Sequence, residues 1–120
     1  MQRDEGAALV EFALVLPLLV MLTFGIIEFG RAYNAQITLT HASREGVRVL
    51  AITGDAGQAA LAARNAAPNL DPGLISISTG ACNEGEPTSV EASYPHAISI
   101  PFFGDRTMTL RSSAVMRCGG

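Results

Sequence analysis

Residues 12–27 read FALVLPLLVMLTFGII, sixteen consecutive positions without a charged side chain. Extending the run back to Ala7 gives a 21-residue segment in which Glu11 is the single charged residue. As an α-helix this segment rises by about 31 Å, close to the thickness of the hydrocarbon core of a bilayer. It therefore predicts a membrane-spanning helix.

A buried core helix and a cleaved secretory signal are the alternatives for such a segment. The core helix is disfavoured because the rest of a 120-residue chain is too short to surround it on all sides. The signal is disfavoured because MQRDEG contains one Arg and two acids, and because Glu11 lies where the apolar region of a signal would begin. Gly30-Arg31-Ala32 is also a poor cleavage site, since an Arg stands in its middle.

The helix is expected to continue past the apolar run to about Ile52, since no proline occurs between Pro17 and Pro68. From Ala7 to Ile52 it would be roughly 69 Å long. At 100° per residue this continuation has three faces. The apolar face is predicted to pack on the sheet, and the small-residue face is predicted to allow close approach of another element. The apolar face contains Phe29, Tyr33, Ile37, Thr40, Val47 and Ala51; the small-residue face contains Ala35, Ala42 and Gly46; the polar face contains Arg31, Asn34, Thr38, His41, Glu45 and Arg48.

The C-terminal part predicts one short helix followed by strands. Residues 56–67, AGQAALAARNAA, form an Ala-rich helix closed by Pro68, and alternation with a period of two follows over 75–78, 89–94 and 108–117. A weaker run lies between Pro95 and Pro101. The predicted fold is α+β: a long N-terminal membrane-spanning helix that continues into an amphipathic helix, packed on a small antiparallel sheet of three to four short strands.

Composition excludes several functions. The net charge is −3 and lysine is absent, so no basic patch is available for nucleic acid. Two His and two Cys are too few for a structural zinc site, and neither His41 nor His96 has a Ser or Cys at the spacing of a nucleophile. We therefore expect no enzymatic activity, no metal, no cofactor and no small-molecule substrate. The sequence allows two interpretations of Phe102-Phe103: the pair is a loop tip that contacts a partner, or it fills part of the core.

The two cysteines, Cys82 and Cys118, are 36 positions apart and are predicted to form a disulfide, because a small core gains most from a cross-link. Two unpaired thiols are the alternative; a redox pair is disfavoured because there is no Cys-x-x-Cys. A disulfide implies an oxidising compartment, so residues beyond the span are expected outside the cytoplasm. The arginines that follow the span favour the opposite orientation, but Glu28 and Glu45 lie beside them and the bias is small.

Residues 6–49, GAALVEFALVLPLLVMLTFGIIEFGRAYNAQITLTHASREGVRV, closely resemble the TadE-like pseudopilins of the tight-adherence (Tad, or Flp) pilus system. The resemblance implies that a prepilin peptidase cleaves between Gly6 and Ala7, and that Glu11 is the glutamate found five residues into the mature chain. The remaining residues that carry it are Phe12, Glu28, Phe29, Gly30, Arg31, Arg44, Glu45 and Gly46.

The resemblance implies a pseudopilin that takes part in assembly of a Tad-type pilus. Its partners would be the prepilin peptidase, other pilin-like subunits and the Tad assembly machinery, in the bacterial cytoplasmic membrane and, after assembly, at the cell surface. Glu11 would pair with the new α-amine of Ala7 on a neighbouring subunit and fix axial register, since a slip leaves two buried charges unpaired. The expected organisation is a leader over 1–6, the helix over 7–52 and a small extracytoplasmic domain over 53–120. The alternative is a monomeric, membrane-anchored binding module that does not polymerise.

Overall fold

A computed structural model of the chain describes residues 2–119, so that Met1 of the predicted leader lies outside the described residues. This part of the chain contains helices α1 (Gln2–Thr53) and α2 (Ala56–Asn65) and strands β1 (Ser76–Thr79), β2 (Pro87–Ile100) and β3 (Gly104–Arg117). The α+β class, the long N-terminal helix and the antiparallel sheet are confirmed. The helix begins within the predicted leader and ends one residue later than expected.

Helix α1 ends at a glycine and is followed at once by the start of α2. Gly54 adopts a left-handed backbone conformation, with φ of 68°, and its N–H donates to the carbonyl of Leu50 at 2.8 Å. Asp55 then caps α2, because its Oδ1 accepts from the backbone N–H of Gly57 and Gln58. This tight connection folds α2 back onto the C-terminal part of α1.

The sheet has the order β1-β2-β3 with antiparallel neighbours. The predicted short strands are wrong for β2 and β3, which are 14 residues each and form one long hairpin. The weaker run between Pro95 and Pro101 is the second half of β2 rather than a separate strand. Pro95 fits there because β1 pairs only as far as Ser93, so that β3 is the one strand paired with β2 at that point.

The core lies between the C-terminal half of α1, α2 and one face of the sheet. It joins Leu39 and Leu50 of α1 to Ala63 of α2 and to Val90 and Ala92 of β2. These side chains form two clusters, and each cluster combines residues of α1 with residues of α2 and the sheet.

The predicted packing face of α1 is partly wrong. Val47 and Ala51 are buried, but Phe29, Tyr33 and Ile37 are 73%, 60% and 51% exposed. The face that packs on the sheet is the small-residue face, extended by two leucines, a serine and a valine, because small side chains let the hairpin lie close along the helix. This packing face consists of Ala35, Leu39, Ala42, Ser43, Gly46, Val47 and Leu50.

Candidate functional site

The N-terminal half of α1 extends away from the core. Each residue from Asp4 to Val20 is exposed, and the protein as a whole is 80 Å long but only 22 Å and 18 Å across. Large apolar side chains are exposed on all sides of this half, including Leu9, Leu14 and Leu18. We call residues 4–20 the rod. An uncovered, largely apolar helix of this kind requires an apolar environment supplied from outside the chain.

A bilayer fits that requirement. Within residues 4–53, α1 contains an 18-residue window with a mean hydropathy of 2.4, none of which is buried inside the protein. The lack of burial excludes the core-helix alternative, since a core helix is covered by its own protein. Helix α1 also continues without interruption into the core, which favours a retained single-pass anchor over a signal that is removed.

The predicted processing and pairing residues lie at the start of this rod. Gly6, Ala7 and Glu11 are all exposed, and a side chain built at Gly6 would meet no atom within 4 Å. Ala7 and Glu11 are four residues apart, so they lie on one side of the helix about 6 Å along its axis. Within one chain, the geometry therefore leaves both the bond between Gly6 and Ala7 and the Glu11 carboxylate accessible to other molecules.

The middle group of motif residues lies where the rod meets the hairpin. Arg31 Nη1 donates to Glu28 Oε1 at 2.9 Å. The second carboxylate oxygen of Glu28, Oε2, is buried and has no hydrogen-bond partner among the residues that the structure describes. Phe29 stacks on Tyr33 with ring centroids 6.2 Å apart, on the exposed side of the helix. Gly30 is open, with no atom within 4 Å of a Cβ placed there.

The last group of motif residues belongs to the core and its rim. Gly46 faces α2 and β2 so closely that a Cβ would lie 3.1 Å from both Ala63 Cβ and Val90 Cγ1. Arg44 is exposed, and Glu45 Oε1 lies 3.8 Å from Arg48 Nη1. The motif therefore combines an exposed apolar end with a packing end, and Phe12 belongs to the exposed end.

Two features of this region were not predicted from the sequence. The first is a groove of about 240 Å³ between α1 and the end of the hairpin, lined by Met21, Phe24, Gly25, Glu28, Ile98, Ser99, Ile100 and Pro101. The second is a polar cluster inside the interface, where Ser112 Oγ lies 3.0 Å from Thr40 Oγ1 and 3.3 Å from Ser43 Oγ. Both depend on the register between helix and hairpin, which no local pattern in the sequence specifies.

The cysteines lie at the opposite end of the hairpin. Cys82 and Cys118 are joined as a disulfide with Cα atoms 5.5 Å apart, a usual separation for such a bond. Backbone hydrogen bonds surround the disulfide: Cys118 N–H donates to Glu86 O at 2.8 Å, and Gly119 N–H donates to Ala51 O at 2.9 Å. This end of the sheet is thereby fastened to the end of α1.

The described residues offer surfaces rather than a reactive cluster. In residues 2–119, no group of three or more His, Cys, Asp or Glu side chains is placed to hold a metal ion. His41 is exposed on the polar face, whereas His96 is buried against the helix and its Nε2 has no hydrogen-bond partner in the same described range. The two histidines lie on different elements and face different surroundings.

Comparison with known proteins agrees with the pattern of motif residues. The sequence model of one family, described as TadE-like protein, matches residues 6–48. No curated protein and no solved structure matches the chain. The matched range begins at Gly6 and ends two residues after Gly46, so it covers both the exposed end and the packing end of the motif.

Proposed function

The chain is TadE-like over residues 6–48, and from this premise we propose that it is a membrane-anchored pseudopilin that takes part in assembly of a Tad-type pilus. A prepilin peptidase removes residues 1–6, and the mature chain associates with other pilin-like subunits through the exposed half of α1. The observation that carries the proposal is the combination of an uncovered apolar rod with Gly6 and Glu11 at its start.

The exposed rod suits a subunit that leaves one apolar environment for another. In the membrane its side chains contact lipid, and in an assembly they contact the same helices of neighbouring subunits. Because lipid tails are as apolar as the side chains, packing and polar contacts decide whether such helices associate. A carboxylate near the start of the rod supplies such a contact, since the α-amine created at Ala7 of a neighbour is its natural counter-charge.

Cleavage requires that the first two turns of α1 open, because a peptidase holds its substrate in an extended conformation. Gly6 lies within α1 and has no tertiary neighbour. Glycine in a helix costs about 1 kcal/mol relative to alanine, and Gly6 lies near the N-terminal end of α1, where helices fray. We therefore expect opening at this point without disturbance of the core, which begins at Ala35.

The experiment is the intact mass of the protein isolated from its native host. The expected mass corresponds to loss of residues 1–6, with Ala7 as the new N-terminus. Gly6→Leu is the test variant, because a bulky side chain blocks the cleavage site. Gly25→Leu is the matched control, because a Cβ built there also meets no atom within 4 Å but the site lies 19 residues from the bond to be cut. Full retention of residues 1–6 in the native chain would contradict the proposal and favour a tethered monomer.

A further inference from the structure

The tip of the β2–β3 hairpin is an aromatic turn with an unusual backbone. Phe103 N–H donates to the carbonyl of Ile100 at 3.2 Å, and Phe102 has a φ of 72°. Proline at the second turn position with left-handed backbone at the third is the pattern of a type II turn, in which glycine or asparagine normally occupies the third place. Phe102 occupies it here, although an aromatic side chain is strained in this region.

The two phenylalanines at this tip contribute nothing to the core. Phe102 is 88% exposed and Phe103 is 67% exposed, so the interpretation as a core plug is wrong. Of the two residues, Phe102 is the less favourable for folding, because its backbone is strained and its side chain is exposed. An exposed aromatic pair on a strained turn therefore marks a candidate contact with something outside the chain.

The position of the tip along α1 identifies that contact. Val90 lies against Gly46, and Ile100 lines the same groove as Met21 and Phe24. The ten residues from Val90 to Ile100 advance by about 33 Å as a strand, and the 22 residues from Phe24 to Gly46 advance by the same distance as a helix. The hairpin therefore runs along α1 from the core to the last turns of the membrane-spanning segment, and its tip lies level with them.

The distribution of charged side chains along the hairpin also changes near its tip. Between Glu91 and Asp105 the hairpin contains no Asp, Glu, Lys or Arg. Charged side chains begin again just behind the tip, where Asp105, Arg106 and Arg31 line a second groove. Arg31 also forms the ion pair with Glu28. The tip is thus apolar and aromatic, and a layer of charges of both signs lies on its core side. This is the order of groups found across a membrane–water interface.

We propose that Phe102 and Phe103 insert into the interfacial region of the bilayer that α1 spans, so that the hairpin tip is a second membrane contact of the protein. The partner is the lipid itself, in the leaflet from which α1 emerges toward the core. This inference rests on the membrane anchoring that is part of the proposed function. It adds that the folded part is held against the membrane at two points and does not swing freely on a tether.

The tip also locates the edge of the hydrocarbon. Turn backbone is not tolerated among lipid tails, so the backbone of residues 101–103 remains at headgroup depth while the two aromatic rings reach the acyl boundary. The hydrocarbon then ends near Phe24 rather than at Ile27. The segment from Ala7 to Phe24 has 18 residues and a length of about 27 Å, which still spans a bilayer.

The test uses the absence of tryptophan from the sequence. Phe102→Trp, Phe103→Trp, Phe12→Trp and Val115→Trp each give the full-length chain one indole. Each variant is reconstituted in phosphatidylcholine vesicles in which a fraction of the lipids carries bromine at a shallow or a deep acyl position. Val115 is the aqueous control, because it is exposed and lies about 36 Å from the tip along β3.

The expected result is blue-shifted emission from the two tip variants, with stronger quenching by shallow bromine than by deep bromine. Val115→Trp should show solvent-exposed emission and no quenching. Quenching of Phe12→Trp together with unquenched tip variants would overturn this inference and leave the membrane anchor intact. Unquenched Phe12→Trp would instead refute the anchor itself. Blue-shifted but unquenched tip emission would also overturn the inference, since a second protein chain would then cover the tip.

Discussion

Gly46 lies where three elements, α1, α2 and β2, approach one another closely. Its missing side chain lets α1 approach α2 and β2, and the two nearest side-chain atoms would lie 3.1 Å from a Cβ placed there. By contrast, Gly30 of the same helix has no such neighbour. The two glycines therefore have different roles, close packing at Gly46 and none in the tertiary structure at Gly30.

Gly46→Leu is expected to destabilise the protein, because a leucine side chain does not fit between Ala63 and Val90. Overpacking of this kind typically costs about 1–3 kcal/mol. Gly30→Leu is the matched control and should be neutral or slightly stabilising, since leucine is a better helix former than glycine. Denaturant unfolding of both variants in the same detergent, followed by circular dichroism, measures the difference. Equal stability of the two variants would show that the close approach at Gly46 contributes nothing.

Glu11→Ala is expected to insert into the membrane as well as the native chain does, or better. A carboxylate costs roughly 2.5–3.5 kcal/mol at the centre of a bilayer and less near its edge, and the variant no longer carries that cost. Processing at Gly6 should also continue. Assembly should fail, because the α-amine of a neighbouring Ala7 would be buried without its counter-charge, at a cost of several kcal/mol.

Glu11→Gln is the matched variant for charge, since it keeps the shape and a hydrogen-bond acceptor. It should assemble less well than the native chain and better than Glu11→Ala. Cross-linking between subunits in membranes, together with pilus output at the cell surface, measures both. Native levels of assembly with Glu11→Ala would show that Glu11 is an interfacial anchor and has no role in register.

At the level of elements, the sequence predicts α1 well but not the face with which it packs. A long apolar run and the absence of proline between Pro17 and Pro68 are sufficient to predict the helix. The match over residues 6–48 confirms the resemblance to the TadE-like family. The 100° periodicity of apolar residues assigns the packing face to a stripe that includes Phe29 and Tyr33. Here they are exposed, and Ala35 and Ala42 pack instead.

The reason for this difference is physical. Periodicity shows which side chains avoid water, but in a chain beside a membrane it does not show whether protein or lipid covers them. The same limit applies to Phe102 and Phe103, for which the sequence left two interpretations open. The register between hairpin and helix, which decides both questions, depends on contacts between residues more than 40 positions apart, such as Gly46 and Val90.

The end of the sheet that carries the disulfide should be the element most affected by loss of a cysteine. A closed loop of this length contributes roughly 4 kcal/mol in the chain-entropy model. In Cys82→Ser/Cys118→Ser we expect lower stability and faster amide hydrogen exchange at the end of β3, around Met116. The pairing of β2 with β3 near Ile98 should keep its protection, because it lies at the other end of the hairpin.

The same disulfide predicts the behaviour of the native thiols. Alkylation of freshly isolated protein under non-reducing conditions should label neither Cys82 nor Cys118. Prior reduction should expose both and reproduce the exchange pattern of the double variant. Labelling of both cysteines without reduction would contradict the disulfide, and with it the argument that the folded part lies in an oxidising compartment.

The whole molecule is organised along one helix. Helix α1 is continuous from Gln2 to Thr53, and it supplies both the exposed rod and one wall of the core. No linker separates these two parts. Their relative orientation is therefore determined by the helix itself, and any change within the rod is passed on to the folded part.

Insertions between Val15 and Leu16 test this connection, because they lie between Glu11 and Met21, the first residue that lines the groove shared with the hairpin. Two added alanines turn the folded part by about 200° relative to Glu11, and four added alanines turn it by about 40° net. We expect the longer insertion to assemble better than the shorter one, as judged by cross-linking between subunits. The opposite order would indicate that length, and not rotation, limits assembly.

Because α1 is uninterrupted, the angle between Glu11 and the sheet about the helix axis is already fixed in each single chain. Glu11 points about 80° around the helix axis from the centre of the packing face, so the direction of its charge and the direction of the sheet form a fixed angle. When one chain binds a neighbour through the rod, the rotational orientation of each sheet about the helix axis is determined without further contacts between the sheets. In an assembly of such chains, contacts among the rods at the centre would therefore determine which side of each sheet faces outward.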